Sequence, residues 1–512
     1  MALALTYPDM VRATSGRSPA KVALTVGDAQ LTYRQLQDRI HRVAHAAIGI
    51  GLAPGDRAGV LAPNCPEFVE LVIGLSAAGI IAVLLPPAST IDEVGFMIAD
   101  SGARAVFAHP LAGAHHLAAL RRTDGVQVVE IGPAYEAVLA RAGTQLPAVT
   151  VREDDVFAIL YTSGSTGAPK GVMLSHRQRV LSSIVVGMEQ SCYSPDDSAL
   201  VTTPLFHGAG LLNVMTPLIS GGSVEVLPRF DIEVAMDLIE RKRLTCAQLI
   251  PTHFAALFAL EDGGGRRRDT SSLKAVVTGT APMSQVMKER IAERFGPHVL
   301  YERYGSTEAS VVTCMRPADQ LRKHQSVGRP LPAVEVRLLG PDGNEVPVGE
   351  LGEFFSRSPY SFTGYWGRPE ATAEALRAGG WVTSGDIARR DEEGFYFVAG
   401  RKNDMIISGG QNIYPREVEE ALARHPAVAE VAVLGMPDSY WGQRVVAFIA
   451  FRGAPAPADA LRDFLRDKVA RHKIPKDIHT LVALPRNKLG KVDRPTLQQT
   501  AASLPAKPDR PG

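Results

Sequence analysis

Residues 58–85 read AGVLAPNCPEFVELVIGLSAAGIIAVLL, and the order of apolar runs and breaks within this stretch decides the fold class. Ala58–Ala62 is a short apolar run of strand length, Pro66 opens a helix, and Ile80–Leu85 is a second apolar run. The apolar part from Leu71 to Leu85 is shorter than the roughly 18 residues a membrane span needs, and Gly74, Ser76 and Gly79 interrupt it. It therefore reads as a buried helix followed by a buried strand. Strands apolar on both faces and joined through a helix imply a parallel sheet covered by helices. The same alternation recurs at Ala103–Ala108, Gln127–Ile131 and Val156–Tyr161. On the amino-terminal side, Thr32 and Gln35 have capping-box spacing, and Leu36, Ile40, Val43, Ala44 and Ala47 follow at helical intervals.

This α/β pattern holds to about residue 330 and then changes. From Val334 to Val398 short β segments (VEVRLL, GEFFSR, GFYFVAG) alternate with turns such as Pro341–Asn344, which predicts a small antiparallel layer. From about residue 404 the pattern predicts helices at Arg416–Arg424 and Ala458–Arg471 and strands at Val428–Leu434 and Arg444–Phe451, a small α+β unit. The arginines of Gly263–Arg268 read as a solvated surface loop, and residues 501–512 as a frayed tail.

Composition bounds the function. A chain of 512 residues predicts two to four domains, or one large domain with an appendage. Lys and Arg number 55 against 54 Asp and Glu, so no overall field favours nucleic acid or an anionic membrane, and any bound anion must be held locally. Cys65, Cys192, Cys246 and Cys314 are too widely spaced for a CxxC or zinc-knuckle pattern; no disulfide framework is expected, and a reducing cytoplasm is the expected setting. The amino terminus lacks a basic leader segment, so export is not expected. The 47 glycines point to many tight backbone turns.

Directly after the strand Val156–Tyr161 comes YTSGSTGAPKG, residues 161–171. Small residues let the backbone turn its N–H groups towards an anion, hydroxyls add donors, and Lys170 adds charge, which makes a phosphate cradle. It is not a Walker A loop, since Pro169 precedes Lys170 and Gly171 follows it, and no serine in it has the glycine spacing of a hydrolase elbow.

With this string in place the chain resembles the adenylate-forming enzymes: acyl-CoA synthetases, adenylation domains of nonribosomal peptide synthetases and beetle luciferases. Gly279–Pro282 (GTAP), Tyr304–Glu308 (YGSTE), Thr383–Asp386 (TSGD), Gly400–Asp404 (GRKND) running into Ser408–Ile413 (SGGQNI), and Pro485–Lys491 (PRNKLGK) follow in that superfamily's order. The resemblance implies a large N-terminal domain, residues 1–402, of αβ-layered subdomains plus a β-rich subdomain. A small mobile α+β C-terminal domain, residues 403–512, carries the catalytic lysine. It implies ATP, Mg²⁺ and CoA as reactants, a small-molecule carboxylic acid as substrate, and room for a homodimer. By the same resemblance Thr162, Ser163, Gly164, Ser165, Thr166, Gly167 and Lys170 hold the β- and γ-phosphates. Glu308 holds the metal, and Thr307 offers a hydroxyl near the α-phosphate. Tyr304 and Gly279, Thr280 and Ala281 enclose the adenine next to Gly305 and Ser306. Asp386 accepts from the ribose, Arg401 sits by ribose and phosphates, and Lys491 reaches between the acyl carboxylate and the α-phosphate.

The strings Ile407–Pro415 and Pro437–Gly442 are typical of free-standing acid–CoA ligases. There Gly409 and Gly410 would line a pantetheine channel flanked by Trp441, and the C-terminal domain would pivot at Asn403 between two half-reactions. An acceptor other than CoA, an amine or a carrier protein, stays open. The family usually has Asp or Lys at the pivot, so Asn403 is a departure; so are Ser306, small enough to enlarge an acyl pocket, and Gln178, which replaces a common asparagine. His207 either borders the acyl pocket, counting then with Lys491, Thr307 and Glu308 among the catalytic residues, or is a packed histidine; His253 is more simply packed. The pocket itself is placed at His207, Thr278, Gly305 and Ser306, whose small and neutral character favours an apolar or aromatic acid.

Overall fold

The computed structural model describes residues 4–162, 169–486 and 491–503. Two sheets dominate the first 330 residues. In the seven-stranded sheet, Arg57–Leu61, Ile81–Leu85, Ala105–Ala108, Gln127–Glu130 and Val156–Thr162 run parallel, as the alternation predicts, and Lys170–Ser175 turns back antiparallel on Val156–Thr162. The nine-stranded sheet has at its centre the parallel strands Ser198–Val201, Cys246–Gln248, Ala275–Thr278 and Leu300–Ser306.

Strand alternation sorts the side chains into layers. Ala82 and Leu84 join one core with Ala58, Val60, Leu36, Ile40, Phe68, Val201, Val224 and Met215, whereas Ile81, Val83 and Leu85 join another with Ile98 and Val106. The first core thus lies between the two sheets and is filled by helices Tyr33–Gly49, Pro66–Ala77 and Gly208–Ser220, while the outer faces carry helices Ile91–Ser101 on one side and Ile232–Lys242, Pro251–Asp262 and Gln285–Phe295 on the other. Helix Pro66–Ala77 is buried along nearly its whole length, which is why the sequence around it has no polar face. The predicted capping box forms between Thr32 and Gln35, and a further one at Ser175 and Gln178 gives Gln178 a job: its side chain accepts from the Ser175 N–H at 2.8 Å.

Strands Glu335–Leu339, Gly352–Arg357, Leu376–Arg377, Trp381–Arg390 and Tyr396–Arg401 form the expected antiparallel layer. Beyond it, Val428–Asp438 and Gly442–Phe451 pair over their full length, and alternation again splits their residues between two cores. Val433, Val445, Ala447 and Ile449 face helices Pro415–Ala423 and Ala458–Leu465, and Leu434, Val446 and Phe448 face helix Arg494–Ser503. The segment 406–503 therefore has hydrophobic cores of its own.

Two expectations are corrected. Helix Ala458–Leu465 stops six residues before the predicted end at Arg471. Arg462 donates to the carbonyls of Pro475 and Lys476, and the chain turns there to lay Asp477–Leu481 beside Gly442–Phe451; a tertiary pairing outweighs local helix propensity. The 263–268 loop is not simply solvated, because Arg268 is buried and its guanidinium is clamped by Asp237 at 2.8 Å. Arg266 is likewise held by Glu240 and Asp237, so the charge of both arginines is met from within the protein.

Candidate functional site

Ligands of open α/β sheets lie beyond the carboxyl ends of the strands. That is where the nine-stranded sheet places the sequence-predicted residues. Thr278 ends Ala275–Thr278 and leads into Gly279–Ala281. Leu300–Ser306 carries Tyr304 to Ser306, and Thr307 and Glu308 form the tip of the hairpin it makes with Ser310–Met315. His207 caps the helix that follows Ser198–Val201.

The hairpin tip explains some of its own sequence. A Cβ at Gly305 would lie 1.9 Å from the Ser310 carbonyl oxygen, and one at Gly279 would lie 2.8 Å from that of Arg303. Both glycines are thus required by backbone packed against backbone, before any ligand is considered. Ser306 earns its place in the turn by accepting the Ala309 N–H at 3.0 Å. Thr280 holds a left-handed conformation (φ +69°), uncommon for a β-branched residue and a local strain at the edge of the site.

From the antiparallel layer, Asp386 and Arg401 face each other in register. Asp386 accepts from the Tyr304 hydroxyl at 2.7 Å and from Ser384 at 2.7 Å, and Arg401 Nε lies 3.4 Å from its other oxygen. Burial and the Asp386 charge push the Tyr304 pKa well up, so its proton stays on the phenol. The seven-stranded sheet contributes Thr162 and Lys170, paired across the hairpin Val156–Thr162 with Lys170–Ser175. Ser163, Gly164, Ser165, Thr166 and Gly167 lie outside the described residues.

Lys491 arrives from the C-terminal segment. Its side chain reaches solvent, yet enough protein surrounds it that lost hydration lowers its pKa. Arg401 lowers it further, while Asp386 and Glu308 raise it. His207 is drawn down to about 4 by burial and by the Lys491 charge, so it is neutral near pH 7, and its Nε2 is buried without a hydrogen-bond partner. The Thr278 hydroxyl is buried in the same unpartnered way. One amine, two carboxylates, a guanidinium and a neutral imidazole are therefore brought together from separate parts of the chain.

Gly409 and Gly410 are the two turn residues of the hairpin Ile406–Ser408 with Gln411–Ile413, with φ of +56° and +76°. Such a turn needs left-handed residues at both places. The Gly409 N–H donates to the Trp441 carbonyl at 2.8 Å, and the indole covers Gly409 so closely that a Cβ there would be 2.8 Å from the ring. Trp441 is 40% exposed and Lys476 Nζ stands 4.9 Å from its ring centroid. Asn403 is the exposed middle residue of the short turn Lys402–Asp404.

The sequence reading missed two residues. Tyr365 donates its hydroxyl to Glu308 Oε1 at 2.8 Å and has Lys170 Nζ 5.3 Å from its ring centroid. Arg303, beside Tyr304, donates to Asn213, Gln190 and Tyr193, all neutral, and its Nε is buried without a partner. Neither lies in a string with a spacing signal; only the fold joins them to their partners.

Strand ends that gather two carboxylates, a guanidinium and an amine from separate parts of the chain are the setting of an enzyme site. The chain belongs to the AMP-binding enzyme family: the family's main model matches residues 11–366 and its C-terminal domain model residues 417–491. It is 39% identical over 478 residues to a feruloyl-CoA synthase of Amycolatopsis sp, covering 93% of this chain and 95% of that protein. Among solved structures it superposes on ATP-bound MatB from Rhodopseudomonas palustris with a TM-score of 0.90 at 30% identity, over 98% of this chain and 99% of that one. It also superposes on the amide bond synthetase McbA from Marinactinospora thermotolerans with a TM-score of 0.87 at 29% identity, over 97% and 99%.

Proposed function

We propose that this protein is an ATP-dependent carboxylic acid–CoA ligase. A carboxylate oxygen of the acid attacks the α-phosphorus of ATP, the bond to the β-phosphate breaks, and pyrophosphate leaves. The CoA sulfur then attacks the acyl carbon of the acyl-AMP, the C–O bond to AMP breaks, and the thiol proton goes to solvent. The observation that carries this reading is Lys491, set by the C-terminal unit within electrostatic reach of Glu308, Asp386 and Arg401.

Bringing a carboxylate to a polyphosphate is a problem of like charges, and the side chains answer it. Thr162 and Lys170, with the loop between them, hold the outer phosphates, and Thr307 donates near the α-phosphate. Tyr304 and the Gly279–Ala281 turn enclose the base, and Asp386 with Arg401 fixes the ribose. Lys491 places its charge where negative charge builds during attack, while neutral His207 adds no competing cation. Glu308 is one carboxylate beside a phosphate site, and Mg²⁺ typically takes one or two carboxylates together with substrate phosphates, so the residues fit that ion. When bound, Mg²⁺ neutralises charge on phosphate oxygens.

We place the pivot at Asn403, dividing residues 1–402 from 403–512, and the CoA arm along Gly409, Gly410 and Trp441. The small residues at Thr278, Gly305 and Ser306 support an apolar or aromatic acid, and the feruloyl-CoA synthase relative supports an aromatic one. Likeness to an amide bond synthetase keeps an amine acceptor as the second reading. No helix among the described residues is long and apolar enough to cross a membrane, and Cys65, Cys192, Cys246 and Cys314 are all free, which supports a cytoplasmic setting. The test is a panel of acids assayed for pyrophosphate release with and without CoA. Release that yields a thioester bears the reading out; release that never needs CoA and leaves no thioester gives way to the amine or carrier-protein acceptor.

A further inference from the structure

Glu308 and Lys170 belong to different sheets. One tips a hairpin of the nine-stranded sheet and the other opens a strand of the seven-stranded sheet, yet a cation on one and phosphates on the other must keep a fixed spacing, to within about half an ångström in a working site. The strap Ser361–Trp366 joins them. Phe362 N–H donates to the Glu308 carbonyl at 2.7 Å, Thr363 N–H to the Met173 carbonyl at 3.2 Å and Trp366 N–H to the Gly171 carbonyl at 2.8 Å, and Gly364 and Tyr365 pair with Met173 and Val172.

From the middle of that strap Tyr365 touches both functional groups, its hydroxyl on Glu308 Oε1 at 2.8 Å and its ring 5.3 Å from Lys170 Nζ. The side chain is only 9% exposed, seated edge-on against Phe362 at 5.1 Å, and its N–H is held by Thr372 at 2.9 Å, so it cannot swing freely. We propose that Tyr365 is a positioning residue: its hydroxyl occupies Oε1 of Glu308, leaving Oε2 to the cation, while its ring holds Lys170, so that one side chain sets the spacing between the cation and the phosphate lysine. This rests on the roles of Glu308 and Lys170 proposed above.

The hydroxyl can be removed without disturbing the rest, because Tyr365→Phe keeps the ring contacts with Phe362 and Lys170. The experiment compares wild type, Tyr365→Phe, Glu308→Gln and the double variant for acid-dependent ATP–pyrophosphate exchange, calorimetric binding of Mg·ATP and of AMP alone, and thiolation of supplied acyl-AMP. Loss of a hydrogen bond to a charged group predicts a fall in adenylation kcat of about tenfold to a hundredfold in Tyr365→Phe. Mg·ATP binding weakens as well, while AMP binding and thiolation stay within about twofold. In the Glu308→Gln background the same change costs less than about twofold more, since the two act as one unit. Wild-type exchange in Tyr365→Phe beside an impaired Glu308→Gln overturns the proposal alone. Full additivity in the double variant, or loss of AMP binding in Tyr365→Phe, makes the hydroxyl merely structural and also overturns it. Normal exchange in Glu308→Gln removes the role of that carboxylate and the proposal with it.

Discussion

The large N-terminal part and the C-terminal unit hold their functional groups in opposite ways. In the former, Glu308 is fixed by Tyr365, Asp386 by Tyr304 and Ser384, and Thr278 and His207 are sunk at strand ends. In the latter, Gly409 and Gly410 form an exposed hairpin turn and Trp441 is 40% exposed. One part is a preorganised cradle in which the carboxylates Glu308 and Asp386 are already held by hydroxyl donors; the other presents a glycine turn and an indole at its surface. On the proposed function, the contrast teaches that the large part preorganises the nucleotide site while the small part brings Lys491 to it and carries the turn proposed for the acceptor.

The largest effect should come from breaking the link between them. Replacing Lys491 with Ala removes a cation that the C-terminal unit brings near both Asp386 and Glu308, and adenylation should fall by about two to three orders of magnitude, the usual result of losing one preorganised charge-stabilising donor. Thiolation of supplied acyl-AMP should fall far less. Equal losses in the two steps, measured by pyrophosphate release and by thioester formation, would remove the lysine from its assigned role. Because the lysine pKa is lowered, kcat/KM for ATP should decline on the alkaline side below the ordinary lysine value of about 10.5, and Lys491→Arg should carry that decline to higher pH.

Gly409 offers the reverse separation. A leucine there must adopt φ near +56° and would drive its Cβ to 2.8 Å from the Trp441 ring, so the turn and the indole must shift. Thioester formation should drop by roughly tenfold to a hundredfold, with adenylation nearly intact, if the costs of strain and overpacking fall only on the CoA step. A Gly409→Leu enzyme that makes thioester at full rate would leave no CoA arm on this turn.

A smaller effect belongs to the cradle alone. His207, His176 and His253 are held neutral by burial, with pKa values lowered to about 4, 3 and 3. Each binds its proton more weakly folded than unfolded, so the stability it contributes is complete above about pH 6.5 and is lost as pH falls towards 4 and then 3. The loss is about 1.4 kcal/mol per histidine for each pH unit in that window. Thermal unfolding followed from pH 7 to pH 4.5 should show it. His176→Phe, at a fully buried site against Phe157, should flatten the slope; an unchanged slope would show that the buried ring is not a source of acid lability.

Much of this was legible in advance, for identifiable reasons. Apolar runs such as Ile80–Leu85 announce a strand buried on both faces, and the layered cores follow from alternation. The site strings were legible because they stand in the order of the family they resemble; taken singly, Glu308, Asp386 or Lys491 carries no such signal. Tyr365 was not, since its bond to Glu308 spans 57 residues and two sheets. Nor was the burial of Arg268, which depends on Asp237 in a helix 31 residues earlier. At Gly279 and Gly305 the structure supplies a reason that no string carries, because each glycine makes room for a neighbouring carbonyl.

The smallest effect concerns where the two parts turn. Lys402 Nζ is 3.1 Å from Glu353 in the antiparallel layer, while Asp404 lies 3.9 Å from Arg494 at the start of the last helix. The residue before Asn403 is thus tied to the large part and the residue after it to the small one, as a pivot at Asn403, proposed above, requires. Both ion pairs are partly exposed and each is worth at most about 1 kcal/mol, so Glu353→Gln should hardly change thermal stability. It should nevertheless loosen the anchor on one side of the pivot and alter the ratio of adenylation to thiolation rates by about twofold to threefold. Asp404→Asn should loosen the other side by a similar amount, and the two changes together should add, since they lie on opposite sides of the pivot. If instead either substitution lowered the melting temperature by many degrees and left the ratio of half-reaction rates untouched, the pairs would be staples of one rigid body and the pivot would have to lie elsewhere.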